Sequence, residues 1–204
     1  MYIMEYTKNK LPIKTQEFLN KMKEYLDTNL YFYGSVQRLD FFPNKSDIDI
    51  CIFTDNTQTM INKLSSFLHM DKTKIKKIFL NIKTNTNRYE IIYCYKCVYK
   101  NPKLNLILEI TICNEKYKKN ILLNNYIKGI NISIYIVIIL FILKFIYYYT
   151  NIIPFKCYTK YKNIIIDIGT KRIQTTKEFY NRILYTDKFS NVYYIDNNNQ
   201  NINI

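Results

Sequence analysis

The feature that most restricts this 204-residue chain is a short alternating run, Ser46-Asp47-Ile48-Asp49-Ile50-Cys51-Ile52. Successive side chains of a strand point to opposite faces, so a strand from Asp47 to Phe53 puts Ile48, Ile50 and Ile52 on one side and Asp47 and Asp49 on the other. One face is thereby committed to a core. The opposite face presents two carboxylates whose Cα atoms lie roughly 7 Å apart and which point the same way.

Leu30 to Tyr33, just upstream, reads as a short aromatic strand and runs directly into Gly34-Ser35. A glycine lets a backbone approach an anion with no Cβ in the way, and Ser35 can donate from its hydroxyl and its amide to a phosphate oxygen. Arg38 and Lys45, in the intervening loop, are candidates for neutralising phosphate charge. Glu109 is the single acid in the apolar stretch Leu104-Asn-Leu-Ile-Leu-Glu-Ile-Thr-Ile112. A charge buried there is costly unless it is ligated or bonded, which makes Glu109 the candidate third carboxylate. Three such acids beside a phosphate-binding turn suit two divalent metals held between carboxylates and triphosphate oxygens.

The remaining elements supply a frame. Leu11 to Leu26, with Pro12 near its first turn, carries Phe18, Met22, Tyr25 and Leu26 at helical spacing. Thr57 to Met70 repeats the pattern with Met60, Ile61, Leu64, Phe67 and Leu68. Ile75 to Ile82, Tyr89 to Tyr99 and Leu104 to Cys113 read as strands, and the short loops at Thr84 to Asn87 and Asn101-Pro102 imply antiparallel hairpins. The expected fold is α+β, a small domain with a mixed sheet over residues 1–115.

Beyond Glu115 the character changes. Residues 116–129 read as a polar connector, and residues 150–204 as a basic tail with a helical stretch at Thr175 to Leu184 and a disordered, asparagine-rich end. Ile130 to Tyr149, between them, is nearly all apolar and is expected to form one continuous hydrophobic helix. Its 20 residues are long enough to cross a bilayer core of about 30 Å, with Lys144 snorkelling and Tyr147, Tyr148 and Tyr149 at the interface. The alternative is a helix buried against the sheet, with Lys144 turned inward. Apolar residues run all the way round, which favours the membrane.

A net charge of +14 suits anionic partners: nucleotides, RNA or an acidic membrane surface. Five cysteines, an odd number with no secretory signal, imply an intracellular, reducing location on the cytoplasmic side, with a membrane anchor if the apolar segment spans. Cys94-Tyr-Lys-Cys97 has no second cysteine pair to complete a zinc site, and the only histidine, His69, falls in a helical run; the two cysteines read as strand residues.

The segment YGSVQRLDFFPNKSDIDICIF resembles the signature of the polymerase-β-like nucleotidyltransferases, and is nearest to the GS-x(n)-SDIDL form of noncanonical poly(A) polymerases and terminal uridylyltransferases. LILEITICNE is similar to the later acidic strand of that superfamily. The resemblance implies a nucleotidyltransferase palm in which Gly34 and Ser35 contact the triphosphate, Asp47 and Asp49 bind Mg2+ or Mn2+, and Glu109 helps deprotonate the attacking hydroxyl. It also places Lys144 on the helix that reaches the triphosphate. The expected activity is metal-dependent transfer of a nucleoside monophosphate from an NTP such as ATP to a hydroxyl, with an RNA 3′ end as acceptor. Three departures stand out: Glu replaces Asp as the third acid, the loop carries Asp40-Phe41-Phe42-Pro43, and the chain has no room for a full helical nucleobase-binding domain. The minimal size and low glycine content are similar to nucleotidyltransferase-like proteins of large DNA viruses. The rival function is a catalytically inactive nucleotide- or RNA-binding protein, or a membrane-tethered adaptor, that keeps the fold.

Overall fold

The computed structural model describes residues 5–83, 89–129, 132–150, 152–169 and 192–193. Six strands form one mixed sheet: β1 (Tyr31–Tyr33), β2 (Ile48–Thr54), β3 (Lys76–Lys83), β4 (Tyr89–Asn101), β5 (Leu106–Asn114) and the two-residue β6 (Val192–Tyr193), in the order β1-β2-β5-β4-β3-β6. Among the described residues only β2 and β5 are parallel; the other pairs are antiparallel. The parallel pair requires a crossover, and the chain between those strands supplies it with α2 (Thr57–Leu68) and the β3–β4 hairpin.

Alternation along the two central strands makes the sheet two-faced. Ile48, Ile50 and Ile52 on β2 join Leu108, Ile110 and Ile112 on β5 in one core, covered by α1 (Ile13–Leu26) through Leu19, Met22 and Leu26 and by α2 through Leu64 and Leu68. Asn56 caps α2 by accepting from the Thr59 amide at 3.0 Å, which satisfies one of the donors left open at a helix start. Asp27 and His69 close the two helices in the left-handed conformation. The opposite face packs Tyr31, Cys51, Phe53, Ile78, Ile92, Cys94 and Cys113 against Ile121 of α3 (Lys118–Gly129). The stretch read as a connector is thus largely helix.

Cys94 and Cys113 stand directly opposite across β4 and β5 and are joined by a disulfide. The sheet register brings together two residues 19 apart in sequence, a pairing that the C-x-x-C spacing of Cys94 and Cys97 does not show. Cys97, an odd number of residues on, points to the other face and lies in the first core as a free thiol.

The apolar run is not a single helix from Ile130. Ile132 and Ser133 are non-helical, the helix α4 spans Ile134–Thr150, and Pro154 then leads into α5 (Phe155–Gly169). These two helices form a hairpin whose interior holds Val137, Leu140 and Ile166, with the Tyr147 and Tyr158 rings stacked at 4.1 Å. Among the described residues no helix is long and apolar enough to cross a membrane. Lys144 explains the orientation of α4: it is 1% exposed and turned inward, while Ile138, Ile142, Phe145 and Tyr149 lie on the outer side. The Thr175 to Leu184 helix and the asparagine-rich end expected from the sequence lie outside the described residues.

Candidate active site

The site is made by the register of β2 against β5. Asp49 is the direct parallel partner of Glu109, and Asp47 immediately precedes β2 on the same face as Asp49. Asp47, Asp49 and Glu109 each offer an oxygen to a common point, all within 4.8 Å of one another. On the other side of β2, Tyr33 pairs with Asp49, so the turn that follows β1 is delivered to the carboxylates.

That turn, Gly34–Gln37, is a single 3-10 turn in which Gly34 has φ +71°. A Cβ there would stand 1.9 Å from Asp49 Oδ2. The sequence assigned the glycine's open space to a phosphate; in the structure the Asp49 carboxylate fills it. Ser35 is buried, and its hydroxyl finds no hydrogen-bond partner among the described residues. A buried hydroxyl left open in this way is a ready donor to an incoming anion.

Charge around the acids is set by lysines from three elements. Lys96 of β4 forms an ion pair with Glu109 Oε1. Lys162 of α5 faces the cluster: burial works against its charge, but Asp47, Tyr158, Asp49 and Glu109 outweigh that and hold the ammonium above the ordinary lysine range. The three acids respond differently. Burial together with its two acidic neighbours pushes Asp49 well above the usual carboxylate range. Burial also raises Glu109, against the pull of Lys96. Asp47 is lowered despite burial, because Lys162 and Lys144 favour its charged form. Unequal proton affinities are what three crowded carboxylates must adopt in the absence of a metal.

Three other cations expected at the phosphates are engaged around the loop. Arg38 clasps Asp40 with Nε to Oδ1 at 2.7 Å and Nη2 to Oδ2 at 3.1 Å. Lys144 Nζ meets Asp40 Oδ2 at 3.0 Å and donates to the Asp40 carbonyl at 2.9 Å. Burial works to raise the Asp40 carboxyl, but Lys144 and Arg38 overcome it and bring it down to about 2. Lys45, exposed, donates to the Tyr148 carbonyl at 3.3 Å and lies 4.5 Å from the Tyr149 ring centre. Of the candidate nucleotide contacts, Gly34 and Ser35 stand beside the acids, Lys45 and Lys144 tie the loop to α4, and Arg38 pairs with Asp40 within the loop.

Sequence reasoning missed Lys96 and Lys162 as members of this site. Lys96 had a legible signal, a lysine whose strand parity puts it on the same face as Ile92 and Cys94 in the apolar and aromatic middle of its strand, Ile91 to Tyr99. Lys162 had none, since it lies among other tail lysines.

The donor set suits a hard divalent cation, which prefers carboxylate oxygens, and the convergence of three of them beside an open hydroxyl fits a metal-bound triphosphate. No curated protein and no solved structure matches the chain. A family model described as "Nucleotidyltransferase domain" matches residues 15–167, from α1 through α5 and more than half of the chain. The chain belongs to the nucleotidyltransferase domain family.

Proposed function

We propose that the protein is a metal-dependent nucleotidyltransferase that moves a nucleoside monophosphate from an NTP to a hydroxyl acceptor, an RNA 3′ end, breaking the α–β phosphoanhydride bond and releasing pyrophosphate. The observation that carries this reading is the convergence of Asp47, Asp49 and Glu109 on one point beside the Gly34–Gln37 turn. A bound Mg2+ or Mn2+ would supply charge neutralisation at the triphosphate and acidify the attacking hydroxyl. Asp47 and Asp49 would hold it, with Glu109 completing the set. The Ser35 hydroxyl donates to a phosphate oxygen, and Lys162 contributes positive charge on the same side of the sheet. The Glu109 carboxylate receives the acceptor's proton. A net charge of +14 favours a polyanionic acceptor over a neutral metabolite.

The test is incubation of purified protein with each labelled NTP, Mg2+ or Mn2+, and in parallel RNA, protein or no acceptor. Label transfer to RNA that disappears in Asp47→Ala and Asp49→Ala is the expected result. NTP binding with no transfer to any acceptor would replace this reading with that of a catalytically inactive nucleotide-binding protein.

A further inference from the structure

Lys96 reaches the carboxylates from a strand that carries none of them. In the β4–β5 register it stands opposite Thr111, on the same face as Glu109, and its ammonium is paired with Glu109 Oε1. Both side chains are buried, 6% and 7% exposed. Two features make this more than a structural ion pair. Glu109 has one more side-chain torsion than Asp47 or Asp49, so its carboxylate needs an external anchor to occupy one position. The pair also sits beside two further acids, so the Lys96 charge acts on the whole cluster.

We propose that Lys96 is a positioning residue for the metal site: it anchors Glu109 through Oε1, holds that carboxylate in place beside Asp47 and Asp49, and opposes the incoming cation electrostatically. This rests on the metal-dependent reading above. A lysine that only stabilised the sheet would, when removed, weaken metal binding and turnover together. A positioning lysine separates them. Its loss makes the cluster more negative and binding tighter, while the freed Glu109 carboxylate makes the bound metal less productive.

The experiment is Mn2+ titration, followed by electron paramagnetic resonance and by thermal shift, on the full chain as wild type, Lys96→Met, Lys96→Gln and Lys96→Arg, with turnover measured at saturating Mn2+. Lys96→Met is expected to bind Mn2+ about tenfold more tightly, the scale expected when one nearby positive charge is lost, and to turn over more slowly. Lys96→Arg should keep wild-type affinity because it keeps the charge. Should the Met variant not fold, Lys96→Gln, neutral but still a donor to Glu109, is judged on the same criterion. A folded neutral variant that binds Mn2+ no more tightly than wild type overturns the proposal. A wild-type protein that takes up no Mn2+ overturns the metal-dependent reading and this proposal with it.

Discussion

Gly34 and Asp49 are packed so closely that they occupy one another's space: the Asp49 carboxylate lies where a side chain on residue 34 would begin. Two demands meet at this glycine, a positive φ and the absent Cβ. Gly34→Ala should therefore destabilise the protein by more than about 1 kcal/mol and, by displacing Asp49, reduce turnover about a hundredfold. Denaturant unfolding and nucleotide transfer assays check the two effects. Wild-type activity in this variant would show that Asp49 has room to move.

Asp49 gives the metal-free protein a pH signature. Its folded pKa is raised by burial and by Asp47 and Glu109, so its contribution to stability is fully present below the ordinary carboxylate pKa and is lost as pH rises through the raised folded value. Asp49→Asn should accordingly be more stable than wild type at neutral pH without metal, and the advantage should vanish under acid. Melting curves across pH, each with and without Mn2+, measure this. Divalent metal should raise the melting temperature of wild type and do much less for the variant.

Asp40 holds two buried cations, Arg38 and Lys144, so its removal should cost more than the loss of either partner. Asp40→Ala is expected to destabilise by about 3–5 kcal/mol, because both positive charges are left without their carboxylate. The Asp40 contribution is present above the ordinary carboxylate pKa and is lost only as pH falls through about 2. The difference between wild type and variant should therefore persist from neutral pH down to pH 4, as chemical denaturation at several pH values would read.

Lys162 balances the acids from the hairpin. Lys162→Met should lower the melting temperature of the metal-free protein, and saturating Mn2+ should recover much of the loss by providing a replacement positive charge. A deficit of equal size with and without metal would mean that Lys162 acts through packing alone.

The sequence exposed the parts of the site that lie within single strands. The Asp47 to Phe53 alternation, the Gly34-Ser35 turn and the lone acid Glu109 were all visible, because period-two patterning survives in a sheet with two differently covered faces. The break at Ile132 and Ser133 was not visible. In a run of isoleucine, leucine and tyrosine every position resembles a core position, and periodicity disappears. Charge partners were lost for another reason. Lys144 to Asp40, Lys96 to Glu109 and the Cys94 to Cys113 bond depend on register and docking between segments, which no local pattern encodes.

The parallel pairing of β2 with β5 has a kinetic consequence. A hairpin can join β3 to β4, and β4 to β5, as soon as those neighbours are made, but β5 reaches β2 only by closing the long loop that contains them all. Non-local contacts of this kind form late and slowly. Because Asp49 and Glu109 face each other across that one seam, catalytic competence should lag behind the appearance of secondary structure when the chain is refolded, and a protein that is mostly folded remains inert until its last ladder is in register.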